Sequence, residues 1–66
     1  MNTIFIYKST GIVSLKTATE DHYTFQDYTE TEQYNGLYII KCKQMSSSNS
    51  VTLTLPIHQT NFITIE

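Results

Sequence analysis

His22, His58 and Cys42 are the side chains of this sequence best suited to chemistry near neutral pH. Imidazole titrates in that range and ligates metals, so the two histidines are the first places to look for a general base or a metal centre. A metal centre needs three or four donors in fixed geometry, yet only Asp21 stands beside His22 and no comparable donor stands beside His58. Both are read as surface residues, His22 after a loop and His58 in a turn. Cys42 becomes nucleophilic only if Lys41 and Lys43 stabilise its thiolate. Successive side chains of a strand point to opposite faces, so both lysines turn away from the thiol. Cys42 is therefore read as a small buried apolar residue beside Ile40. Ser and Thr are abundant, but there is no Gly-x-Ser-x-Gly elbow and no Gly-rich phosphate loop. No catalytic, cofactor-binding or metal-binding set is predicted, and the chain is read as a non-enzyme.

The charged residues are few. Four lysines, no arginine and six carboxylates give a net charge of -2. Nucleic-acid binding needs a basic track that exchanges counterions with phosphates. Lys8, Lys16, Lys41 and Lys43 beside exposed tyrosines would make only a modest single-strand platform, and this is the alternative reading. The acids are more clustered: Glu20, Asp21, Asp27, Glu30 and Glu32, five of the six, fall among Tyr23, Tyr28 and Tyr34.

These residues must be positioned by strands. Thr (eleven), Ile (eight), Tyr (five), Phe (three) and Val (two) dominate over good helix formers, with one Ala in 66 residues. β-branched and aromatic side chains lose rotamer freedom in a helix but pack well on a pleated surface. Strands are predicted over residues 3 to 8 and 12 to 17, from His22 to Tyr34, from Leu37 into Lys43, from Val51 to Leu55 and from Phe62 to Glu66. Residues 17 to 21 and Met45 to Ser50 read as loops. Asn35-Gly36 is the strongest local signal, since this pair favours the type I′ turn of a two-residue hairpin. Centring the hairpin there places Glu30 opposite Lys41, Glu32 opposite Ile39 and Gln33 opposite Tyr38. Tyr28, Glu30, Glu32 and Tyr34 then share one face, opposite Lys43, Lys41, Ile39 and Leu37.

Five to six short strands in one domain spanning residues 1 to 66 predict an all-β fold, a small barrel or a strongly bent antiparallel sheet, because curling buries one face and removes edges. The ending, a strand to Leu55, then Pro56-Ile57-His58-Gln59-Thr60-Asn61, then a strand from Phe62, is similar to the strand, 3₁₀ turn, strand ending of SH3-like barrels. That likeness covers only these residues. The chain has no Trp, so the Pro-rich peptide groove of SH3 domains is not implied.

A small domain buries only roughly 60% of its unfolded surface, which leaves little core to support an active-site cavity. The reading that follows is an interaction module. Tyr28, Glu30, Glu32 and Tyr34 are its expected partner-binding residues, since tyrosine offers large contact area at low entropy cost and carboxylates steer toward a basic partner. The expected partner is another protein, a basic nucleic-acid-binding one included. In general character such a chain resembles the small inhibitors that phages and mobile elements encode. A third reading is a structural subunit that pairs sheet edges into a homodimer or higher homo-oligomer, because the first predicted strand, with Ile4 and Ile6 opposed to Phe5 and Tyr7, is apolar on both faces. One cysteine, no apolar run long enough to span a membrane and no signal-peptide pattern predict a cytoplasmic location without membrane attachment.

Overall fold

A computed structural model describes the whole chain, Met1–Glu66. Its strands are β1 (Asn2–Tyr7), β2 (Ile12–Lys16), β3 (His22–Tyr34), β4 (Leu37–Gln44), β5 (Ser50–Pro56) and β6 (Thr60–Ile65), with a 3₁₀ turn over Ile57–Gln59 between the last two. They form one six-stranded sheet in the order β5-β4-β3-β2-β1-β6. The 3₁₀ turn is the only helical segment, and no helix is long and apolar enough to cross a membrane. Asn35 and Gly36 both have positive φ, 50° and 74°. This is the type I′ geometry expected of the pair, whose twist matches that of the flanking strands.

The all-β class and the six strands are as expected, but the sheet is neither wholly antiparallel nor closed into a barrel. β1 pairs with β2 in antiparallel fashion and with β6 in parallel. The reason lies in the strand count. Five strands in alternating directions leave β5 running with β1, and the short 3₁₀ turn carries the chain onward without reversing it, so β6 arrives parallel to β1. β5 and β6 are the two edges of the sheet, yet only three residues separate them. The sheet must therefore curl until its edges meet at that corner. There the Thr60 hydroxyl donates to the Pro56 carbonyl at 2.7 Å, and the Thr60 N–H donates to the Ile57 carbonyl. Beyond the corner the edges are not hydrogen-bonded to each other. Tyr38 of β4 and Phe62 of β6 instead approach across the curl, with ring centroids 4.9 Å apart.

The core lies inside the curl. Ile4, Ile6, Val13, Leu15, Ile40, Cys42 and Leu55 are buried, with Phe25, Tyr28, Tyr38, Val51, Leu53 and Phe62 packed against them. Cross-strand pairing explains the set, because directly opposed residues share a face. Ile4 faces Leu15, Ile6 faces Val13, Val13 faces Phe25, Ile40 faces Leu53, Cys42 faces Val51 and Tyr38 faces Leu55.

β3 is where register and expectation part. Its pairing with β4 runs as expected from Glu30 opposite Lys41 to Tyr34 opposite Leu37, but Gln26 already lies opposite Lys43. Asp27, Tyr28 and Thr29 are thus looped out against Cys42 alone. Asp27 takes a left-handed φ of 52°, the Tyr28 N–H donates to the Gly11 carbonyl at 3.0 Å, and the Thr29 hydroxyl donates to the Lys41 carbonyl at 3.3 Å. A bulge of this kind re-aims side chains and bends the strand. Tyr28, expected on the outer face opposite Lys43, instead packs against the core, its hydroxyl 2.8 Å from that of Thr31.

Candidate functional site

The closed end of the β3–β4 hairpin gathers the residues singled out for recognition, apart from Tyr28. Glu32 pairs with Ile39 and Tyr34 with Leu37. On the other side of β4, Ile39 pairs with Thr54 and Leu37 with Pro56. Directly opposed residues share a face, so Glu32, Tyr34, Leu37, Ile39, Thr54 and Pro56 form one patch on the outer side of the sheet. Tyr34 is 66% exposed, while Leu37, Ile39 and Pro56 are half-buried. The contribution of β5 could not be read from the sequence, since no local turn fixes its register against β4. The Tyr34-Leu37 neighbourhood could be, from the Asn35-Gly36 turn alone.

Electrostatics divide the acidic strip. Lys41 lies 3.1 Å from Glu30, Lys43 3.9 Å from Asp27, Lys16 3.0 Å from Glu20 and Lys8 3.7 Å from Glu66. Every lysine thus stands beside a carboxylate. Asp21 and Glu32 are the carboxylates left without a lysine, and they account for the net charge of -2. The hydrogen bond from Lys41 to Glu30, with the fields of Glu30 and then Glu32, holds the ammonium above its usual range. The hydrogen bond from Lys16 lowers Glu20 below the usual carboxylate range. Exposed pairs of this sort add little stability. They do distinguish the two acids, because Glu30 is held in an ion pair with Lys41 whereas Glu32 reaches that ammonium only through its field. The same pairing puts a carboxylate beside each of the four lysines that a phosphate track would draw on.

The nucleophile and metal candidates are scattered. His22 begins β3 opposite Lys16 and is exposed; His58 is exposed in the 3₁₀ turn. His58, Met1, Asn2, Ala18 and Gln59 line an open hollow of about 300 Å³. No three His, Cys, Asp or Glu side chains come together as metal donors. Cys42 is buried, 5% exposed, and burial pushes its thiol up from the ordinary value of 9.0. The folded thiol keeps its proton to higher pH than the unfolded one, so its contribution is intact below the unfolded value and is lost as pH rises through the folded value. Thermal melts from about pH 7 to about pH 10 should show an alkaline loss of stability that is shallower in Cys42→Ala than in the wild type. Equal slopes would place the thiol in contact with water.

Comparisons with protein families, with curated proteins and with solved structures give no match.

Proposed function

We propose that this chain is a non-enzymatic protein-interaction module that docks through the outer face at the closed end of the β3–β4 hairpin. The observation that supports this is the exposed Tyr34 beside Leu37, Ile39 and Pro56, with Glu32 the nearby carboxylate that forms no salt bridge. An amphipathic ring on a rigid hairpin loses little entropy on docking. A carboxylate beside it that is held in no salt bridge steers toward a basic rim. The partner is therefore a protein with an apolar pocket for Tyr34 and a basic residue at its margin.

The experiment is a comparative capture from the cells that make the chain, with immobilised wild type beside the double variant Glu32→Lys, Tyr34→Ala. A protein retained by the wild type and lost to a double variant of unchanged circular dichroism is the expected result. Equal retention by both would remove the hairpin end from the interaction.

A further inference from the structure

The opposite edge of the sheet carries a different surface. β6 is an edge strand whose inner neighbour is β1. Phe5 lies opposite Ile63, Tyr7 opposite Ile65 and Tyr7 opposite Ile12, so these five side chains share the outer face. Tyr7, Ile63 and Ile65 are 36%, 41% and 38% exposed, and the rings of Phe5 and Tyr7 stack at 6.5 Å. At the other edge, the outward residues of β5 are Ser50, Thr52, Thr54 and Pro56, opposite Lys43, Lys41, Ile39 and Leu37. The β5 edge is thus polar from Ser50 to Thr54, with two lysines behind it, and ends in a proline, whereas the β6 edge is backed by an apolar patch along its length.

Natural edge strands are usually blunted by lysine, proline or a bulge. Thr60–Ile65 has none of these: it contains no charged residue and no proline, and its pairing with β1 is unbroken. Its free hydrogen-bonding groups can be assigned. The Ile65 carbonyl accepts from the Lys8 N–H at 2.8 Å, so Ile65 and, by alternation, Ile63 turn their backbone groups toward β1. Those of Phe62, Thr64 and Glu66 point to the open edge.

We propose that this edge pairs with the same edge of a second copy, antiparallel, about a two-fold axis at Thr64. The register follows from β6 itself. An axis at Thr64 places Thr64 against Thr64 of the second copy and Phe62 against Glu66 of the second copy as hydrogen-bonded pairs. Ile63 and Ile65 of the second copy then form the close, non-hydrogen-bonded pair on the outer face, twice over by symmetry. Charge is compatible with it, because no like charges are opposed and Glu66 remains beside Lys8. An axis at Thr64 centres the paired residues, Phe62 to Glu66, away from the corner at Pro56 and Thr60. A second copy also fits what the chain lacks. One cysteine gives no internal disulfide, seven buried apolar side chains make a small core, and oligomerisation is one of the ways small domains gain burial. This pairing uses the opposite edge from the hairpin patch and does not depend on that patch binding anything.

The test is the solution mass by sedimentation equilibrium across micromolar to millimolar concentration, for the wild type, Ile63→Lys and Thr64→Pro. The wild type is expected at twice the 7.6 kDa of the chain. Ile63→Lys places a charge in the apolar pair. Thr64→Pro removes an N–H that no bond within the chain uses, a substitution an edge strand accommodates, so β1 pairing survives even if Ile63→Lys fails to fold. Both variants are expected at 7.6 kDa, with Thr64→Pro keeping the wild-type circular dichroism. A wild-type mass of 7.6 kDa, a ring larger than two copies, or a Thr64→Pro variant that still dimerises would each overturn the proposal.

Discussion

Replacing Ile40 with Ala is expected to cost about 2–5 kcal/mol of folding stability, read as a fall in the urea midpoint with unchanged slope. Ile40 has no exposed surface. It stands on β4 between Thr31 of β3 and Leu53 of β5, so hydrogen-bonded strands on both sides hold the space its side chain would vacate. That loss combines the transfer free energy of the removed methyl groups with the cavity they leave. A chain this short is expected to have only roughly 3–10 kcal/mol in total, so the variant lies close to unfolding at ambient temperature. Met45, 51% exposed, is the control: Met45→Ala should stay within about 0.5 kcal/mol. Equal midpoints for the two variants would mean that the curl does not enclose β4.

The second large effect separates two tyrosines that alternation alone would place together. Tyr28→Ala should cost about 2 kcal/mol, since the ring packs on the core and its hydroxyl bonds within β3, although it is only half-buried. Tyr28→Phe should lose about 1 kcal/mol, the net value of a neutral hydrogen bond. Tyr34→Ala, by contrast, should change stability by under about 0.5 kcal/mol. Chemical denaturation of the three variants decides the matter. A Tyr28→Ala protein as stable as the wild type would return that ring to the outer face and restore the unbulged register.

The difference between these tyrosines shows what the sequence makes legible. Asn35-Gly36 fixed the hairpin register from Glu30 to Leu37, because a two-residue turn leaves no freedom in pairing. Val13 and Leu15, Ile40 and Cys42, and Leu55 were legible as core from period-two alternation. The bulge at Asp27–Thr29 left one trace, the step of three between Phe25 and Tyr28 where alternation asks for two. That step does not by itself specify a bulge, because Tyr is amphipathic and fits either face. The parallel joining of β6 to β1 left no local trace, since it depends on how far the whole sheet curls. Pro56 and Thr60 mark the corner, but no residue near either names the strand that β6 will join. The candidate site divided along the same line. Glu30, Glu32 and Tyr34 were placed by the turn, whereas the neutralisation of Glu30 depends on Lys41 reaching it across the ladder, and the Pro56 side of the patch depends on β5.

The most direct test of the hairpin end as the docking surface is a calorimetric titration of the captured partner with wild type, Tyr34→Ala and Glu32→Lys at low and high salt. Tyr34→Ala is expected to weaken binding about 30-fold, the equivalent of a hot spot near 2 kcal/mol. Glu32→Lys should weaken it at low salt and lose much of that effect at high salt, as screening shortens the reach of an exposed charge to less than about 10 Å. Glu30→Gln should matter less than Glu32→Gln, because Lys41 already neutralises Glu30. The account is contradicted if Tyr34→Ala binds as the wild type does, or if Glu32→Lys tightens binding and confers affinity for a single-stranded oligonucleotide in its place.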